Sequence, residues 1–299
     1  MDVSVIVPFR DTETYIEDCV RALLVQAHTT HDVEIIMVDN GSRDRSAEIV
    51  RRYLQIKLLS EHEPGAYAAR NRGIAEARGA ILAFTDSDCV PCPNWLEHMT
   101  AAVRRPGVGI VMGRQQFAVD SPVLSMLAAY EAEKAAHVFS GDIKDVYFGH
   151  TNNMAVRREV FDRCGLFRTM ARGADTIFVR RAVDEYGCDI AWYCPEACVR
   201  HLEIASIWDY YRKQFIYGRS NRKNAKIAAY RPLTCKERLE IFKHTVKRRS
   251  YSGAESALFS CLLGLGAIWY EFGRWCPIRR DGSRSACRRG RRTACEHRG

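Results

Sequence analysis

AILAFTDSDCVPC, residues 80–92, is the stretch whose reading decides the fold. Its first half, AILAF (80–84), is a short apolar run of the kind buried on both faces of a parallel sheet. Its second half sets two carboxylates one residue apart, Asp86 and Asp88, before two thiols, Cys89 and Cys92. Residues i and i+2 of an extended chain point to the same side, so this pair suits a hard divalent cation such as Mg2+ or Mn2+. Taken alone, Asp-Ser-Asp is equally a polar turn leaving a strand. The thiols offer a third reading, a zinc or redox site shared with Cys194 and Cys198, although these two pairs lie much further apart than the pairs of structural zinc sites.

The upstream sequence places that stretch in a series. VSVIVPF (3–9), VEIIMVD (33–39) and IKLLS (56–60) read as further strands. Between them, TETYIEDCVRALLVQA (12–27), SAEIVRRYL (46–54) and AYAARNRGIAEARG (66–79) read as helices. Thr14 and Glu17 have capping-box spacing, and Gly79 reads as a helix stop. Four strand–helix alternations demand right-handed crossovers and a parallel sheet covered by helices, with ligands beyond the carboxyl ends of the strands. Arg10 and Asp11, Asp39, and Asp86 with Asp88 then fall along one sheet edge. This convergence argues for a site without relying on any one motif.

After residue 100 the alternation weakens. Residues 121–140 read as a helix, 149–167 as a loop, a strand and a short helix, and 171–188 as a loop and a helix. A strand is expected near 190–194 and a basic aromatic helix over 205–230. No internal repeat is visible.

Composition narrows the function classes. The 299 residues are 47% hydrophobic and 27% charged, which excludes a disordered chain, and the net charge of +9 favours anionic partners. Six of those net charges lie in residues 277–299, a basic, apolar-poor tail read as disordered. The N-terminus has no basic lead or cleavage site, so twelve scattered Cys read as reduced thiols in the cytoplasm. SALFSCLLGLGAIWY (256–270), the longest charge-free apolar segment, is shorter than a bilayer span. It reads either as a packing helix or as one lying at the inner face of the cell membrane, with the Arg tail on anionic lipid. Aromatics alternate with Arg and Lys over 207–226, but no nucleic-acid recognition module is present, and no nucleic-acid partner is expected.

VSVIVPFRDTETYIEDCVRALLVQ, VEIIMVDNGSRDRSAEIV, PGAYAARNRGIAEARG and AILAFTDSDCVPCPNWLE together resemble the family 2 glycosyltransferases, in the family's order and spacing. GHTNNMAVRREVFDRCGLF resembles the family's acceptor-side loop, and ARGADTIFVRRAVDEYG its general-base segment. The resemblance runs from about residue 3 to 220. It implies an inverting enzyme of GT-A fold that uses a nucleotide-diphosphate sugar, a hydroxyl acceptor and Mg2+ or Mn2+. Carried over by motif, Pro8 and Arg10 end the first strand beside the nucleotide. Asp39 meets the base, with Asp44 in the same loop, and Arg70 contacts the diphosphate or orders the site. Asp86 faces ribose and metal, Asp88 binds the metal, and Asp175 is the catalytic base. His201 resembles a histidine that ligates the metal in some members. The chain departs from the pattern at Ala174, where an acidic residue is common, and at Arg10, where Asn is usual.

Those residue types fit the chemistry: inversion needs one carboxylate to deprotonate the acceptor, and a departing diphosphate needs positive charge. Asp175 could instead be a helix N-cap, and His201 a satisfied buried histidine. The expected architecture is a GT-A-like α/β domain over 1–220, its mostly parallel central sheet flanked by helices, then a helical extension over 221–276 and the tail over 277–299. The expected function is transfer from a UDP-sugar, in cell-surface polysaccharide or glycolipid synthesis. Two rivals stand beside it: a nucleotidyltransferase on a similar sheet, and a non-enzymatic membrane-associated scaffold.

Overall fold

The computed structural model describes residues 2–29, 32–119, 121–224, 227 and 231–276, so the disordered tail expected over 277–299 lies outside the described residues. Eight strands form one sheet: β1 (Val3–Phe9), β2 (Val33–Asp39), β3 (Ile56–Ser60), β4 (Ile81–Thr85), β5 (Cys89–Pro91), β6 (Ile110–Phe117), β7 (Asn153–Arg157) and β8 (Ala191–His201), in the order β3-β2-β1-β4-β7-β6-β8-β5. The β3-β2-β1-β4 block is wholly parallel, as the alternating apolar runs require. β7 and β5 run antiparallel to their neighbours, while β8 is parallel to β6.

The pleat divides the core by residue parity. Ile6, Ile36, Val38, Leu82 and Phe84 face one layer, which holds α3 (Ala66–Glu76), α6 (Arg158–Cys164) and α7 (Ala174–Tyr186). Val5, Val7, Ile35, Met37, Ile81 and Ala83 face the other, which holds α1 (Ile16–Thr29), α2 (Ser46–Arg51) and α4 (Trp95–Val103). Both faces are covered, which is why these strands read as unbroken apolar runs.

Local structure corrects several expectations. Thr14 does not cap α1: the helix is entered by a turn in which Tyr15 and Ile16 N–H bind the Thr12 carbonyl, and Glu17 is held by Arg21 and Tyr53. Gly79 does not stop α3, which ends at Glu76. A Cβ at Gly79 would lie 2.5 Å from the Ser4 nitrogen, and its own N–H donates to Ser4 Oγ at 2.8 Å, so close approach to β1 requires the glycine. The strand expected near 190–194 runs to His201, and β6 carries three polar residues, Arg114, Gln115 and Gln116, that masked it in the sequence.

A third apolar cluster joins α5 (Pro122–Phe139), α8 (Ile207–Asn224) and α10 (Gly253–Trp275), with α9 (Cys235–Arg249) packed alongside. Capping boxes at Thr234/Glu237 and Ser252/Glu255 start α9 and α10. α8 and α10 cross at backbone distance: a Cβ on Gly218 would meet the Tyr270 carbonyl at 1.9 Å, and one on Gly273 the Phe215 carbonyl at 2.1 Å. α8 passes residue 220 without a break, and α10 extends well beyond the charge-free run 256–270.

Candidate active site

The parallel register brings the ends of β1, β2 and β4 level, with Pro8 opposite Val38, Phe9 opposite Asp39, and Asp86 following β4. The loops above them are tied by their own carboxylates and amide. Asp39 Oδ1 accepts from Ser42 N–H at 2.9 Å. Asn40 Nδ2 donates to the Glu61 and Glu63 carbonyls at 3.0 and 2.8 Å, and its Oδ1 accepts from Gly65 N–H at 2.7 Å. Asn40 thus fixes the entry to α3, a positioning role the sequence reading missed. Asp44 accepts from Glu13 N–H at 2.9 Å and from the backbone and hydroxyl of Ser46 at 3.0 and 2.5 Å. Slight burial opposes its ionisation, but those hydrogen bonds outweigh it and hold its pKa low. Asp44 is therefore engaged in joining two loops, while Arg10 is half exposed and 3.7 Å from Asp11.

Asp86 and Asp88 do not project to one side as an extended i, i+2 pair would. Cys89 N–H bonds the Asp86 carbonyl at 3.0 Å, so residues 86–89 form a turn and the two carboxylates diverge. Asp86 is ion-paired with Arg70, which is 4% exposed and lies over the Tyr67 ring at 5.1 Å. Asp88 turns toward β8, where its Oδ2 lies 3.6 Å from His201 Nδ1. β5 pairs Cys89 directly with His201, and Cys89 Sγ lies 3.7 Å from Asp88 Oδ1. Ligand atoms of Asp88, Cys89 and His201 all fall within 4.8 Å of one another.

Among the described residues His201 Nδ1 is buried without a hydrogen-bond partner, while Lys213 Nζ meets Nε2 at 2.9 Å and Glu203 at 3.0 Å. Burial lowers the His201 pKa despite the attraction of Asp88, and burial raises that of Asp88 despite His201. An orphaned nitrogen and a reluctant carboxylate, side by side, are what a divalent cation would satisfy, so the donor set fits a metal.

Asp175 lies on the first turn of α7, whose N-cap is Gly173, so it is not the cap. Its carboxylate accepts from Thr176 N–H at 2.8 Å and from Thr151 N–H at 3.3 Å, and the Tyr67 hydroxyl beside it favours its ionised form. Burial raises its pKa above the usual carboxylate range, against those hydrogen bonds and the pull of Arg70. The site residues thus fall into two groups on either side of the 86–89 turn: Asp175, Tyr67, Arg70 and Asp86 on one, and Asp88, His201 and Lys213 on the other. Tyr67, Thr151 and Lys213 are not site candidates on sequence alone; the fold brings them, with Cys89, to the site.

The proposed four-sulfur site does not form among the described residues. Cys92 N–H bonds the Cys198 carbonyl at 2.9 Å and the two thiols interact, which with Arg114 and Arg200 lowers the Cys92 pKa to about 7 against burial. Cys194 instead faces Glu196 and the His98 carbonyl, and Cys89 faces Asp88.

A family model described as glycosyl transferase family 2 matches residues 4–175. Glycosyltransferase AglE of Haloferax volcanii is 33% identical over 190 residues, which span 61% of each chain. The glycosyltransferase EpsJ of Bacillus subtilis, described as uncharacterized, is 36% identical over 113 residues, 36% of this chain and 32% of that protein. The match therefore spans less than two thirds of either relative. The fold is similar to that of the mannosyltransferase PcManGT of Pyrobaculum calidifontis, solved with GDP-Man and Mn2+ (TM-score 0.59, 20% identity, 91% of this chain and 83% of that one). It is also similar to glucosyl-3-phosphoglycerate synthase of Mycobacterium tuberculosis, solved with Mn2+, UDP-Glc and phosphoglyceric acid (TM-score 0.51, 18% identity, 67% and 71%). An eight-stranded mixed sheet with flanking helices and a C-terminal helix is common ground with these GT-A structures.

Proposed function

The chain belongs to glycosyl transferase family 2, and from that premise we propose that it moves a sugar from a nucleotide-diphosphate donor to an acceptor hydroxyl with inversion. The observation that carries the reading is the pair of groups on either side of the 86–89 turn, Asp175 with Tyr67, Arg70 and Asp86 on one and Asp88 with His201 on the other. It sets one buried carboxylate apart from a cation-accepting pair, which is the division of labour that displacement at an anomeric carbon needs.

In this reading Asp175 takes the acceptor proton on its carboxylate. Tyr67 and the Thr151 and Thr176 amides aim that carboxylate and offset part of its burial. Arg70, anchored by Asp86 and stacked on Tyr67, supplies fixed positive charge near the diphosphate. Asp39 and the loop it shares with Asn40 meet the base. Asp88 and His201 would hold Mn2+ or Mg2+, which when bound supplies positive charge for the leaving diphosphate.

The donor is proposed to be a UDP-sugar. Calorimetry with UDP, and with GDP as control, each with and without Mn2+, tests this. UDP binding that requires both Mn2+ and Asp88 supports the reading; GDP binding in its place reassigns the donor. Failure of both nucleotides to bind the folded protein would sink it.

The proposed location is the anionic inner face of the cell membrane. Leu258, Leu265, Ile268, Phe272 and Trp275 are exposed along one face of α10. By length and mean hydropathy of 1.3, α10 could also cross a bilayer. Its glycine crossing with α8 argues against that, since Arg212, Lys213, Arg219 and Arg222 on α8 would follow it into hydrocarbon.

A further inference from the structure

Among the described thiols, the neighbouring Cys19 donates to the Asp86 carbonyl at 3.6 Å, while Cys89 is the one whose sulfur faces the Asp88 carboxylate. Its side chain is fully buried on β5, it stands opposite His201 across the strand pair, and its Sγ is 3.7 Å from Asp88 Oδ1. On the other side of the same carboxylate, His201 Nδ1 is 3.6 Å from Oδ2 and has no hydrogen-bond partner. A tetrahedral cation with zinc-like bond lengths separates neighbouring N, O and S ligands by about 3.3–3.6 Å. Two of the three separations stand near that spacing, each to a different oxygen of Asp88, and the ligand atoms of all three residues lie within 4.8 Å of one another. Mg2+ and Mn2+ favour oxygen-rich octahedra and make no use of a thiolate, whereas Zn2+ and Co2+ do.

We propose that Asp88, Cys89 and His201 form a mixed oxygen, sulfur and nitrogen site that takes a thiophilic divalent cation, Zn2+ or Co2+, in direct competition with Mn2+. The inference rests on the proposed placement of the metal at Asp88 and His201. Binding forms a metal–sulfur bond and releases the Cys89 thiol proton to solvent; no oxidant is involved. Lys213 now donates to His201 Nε2, which puts the ring proton on Nδ1. A cation on Nδ1 moves that proton to Nε2 and leaves Lys213 to Glu203, which it already holds at 3.0 Å. A water or a phosphate oxygen would supply the fourth ligand. The chain's metal preference would then be set by one residue adjoining the carboxylate motif.

The test is the optical spectrum of the full chain titrated with Co2+, with calorimetry of Zn2+ and Mn2+ alongside. A near-ultraviolet thiolate-to-cobalt charge-transfer band that Mn2+ displaces is expected. It should be lost in both Cys89→Ser and Cys89→Ala, each checked for native circular dichroism, and in Asp88→Asn. Zn2+ affinity should fall at least ~10-fold in the Cys89 variants, while Mn2+ affinity holds. Co2+ binding that Mn2+ displaces but that gives no charge-transfer band overturns the inference and leaves the transferase reading intact. A band that survives in both Cys89 variants also overturns it, because another thiol is then the ligand. A band lost with Cys89 in a protein that binds no nucleotide supports the metal site and sinks the transferase reading.

Discussion

As the proposed base Asp175 would have to be both buried and ionised, and those demands oppose each other. Burial raises its folded pKa above the unfolded value of about 4, so folding favours the protonated acid. Its contribution to stability is therefore greatest below the unfolded pKa and is lost as pH rises through the folded one. The Asp175→Asn variant carries no such dependence, so its melting temperature relative to the native chain should climb as pH is raised from about 4 to 8; a flat difference would contradict the raised pKa. The same variant should keep UDP affinity and lose about 10²–10⁴-fold in kcat. If nucleotide binding is lost instead, Asp175 is not the base. Tyr67 can be separated from Asp175 by pH. Its hydroxyl favours the ionised carboxylate, so Tyr67→Phe should shift the acid limb of the kcat/KM profile to higher pH. A fall in rate with the limb unmoved would make Tyr67 a packing residue only. Asp175 was legible through the resemblance of its segment. Tyr67 was not, because nothing in a small-residue helix distinguishes the one ring that turns inward to a carboxylate on another element.

Elements were legible where periodicity was strong and both faces were buried. β1, β2 and β3 have the boundaries their apolar runs imply, since parity alone assigns each side chain to one of two cores. The metal-side elements failed that test. β5 is three residues long, β6 is interrupted by Arg114, Gln115 and Gln116, and β8 has an irregular register against β6 between Gly113 and Arg114. Their pairing is non-local, so no window of sequence contains it. The turn at 86–89 is the instructive case: extended-chain alternation put both carboxylates together, whereas a single backbone hydrogen bond sends one to Arg70 and the other to His201. The C-terminal layer gives an element-scale prediction. Gly273→Ala drives a methyl group into the Phe215 backbone, which cannot yield as a side-chain tip would. It should destabilise the chain by about 1–3 kcal/mol in chemical denaturation. An unchanged midpoint would mean that α8 and α10 do not cross as closely as described.

At the scale of the molecule, an exposed apolar stripe on α10 follows a run of cations at the end of α9. Trp275 is 79% and Ile268 65% exposed, and they continue a stripe through Leu258, Leu265 and Phe272 at helical spacing. Glu271 in the neighbourhood is paired with Arg274, which mutes its repulsion from anionic lipid. α9 ends in Lys247, Arg248 and Arg249 just before α10 begins, bringing cations to one end of that helix. Exposed apolar residues in a continuous stripe mark an interaction surface, and adjoining cations select an anionic one. Hence the full chain should sediment with phosphatidylserine-containing vesicles and much less with neutral ones, with binding weakened by salt as surface charge is screened. Ile268→Lys with Phe272→Lys should abolish sedimentation while leaving Mn2+-dependent nucleotide binding unchanged, because the stripe is distinct from the Asp88 and Asp175 positions. Equal recovery on neutral vesicles would show that charge does not select the partner. Loss of nucleotide binding in the double variant would show instead that α10 supports the fold through α8, and the stripe would then be structural surface and not a lipid contact.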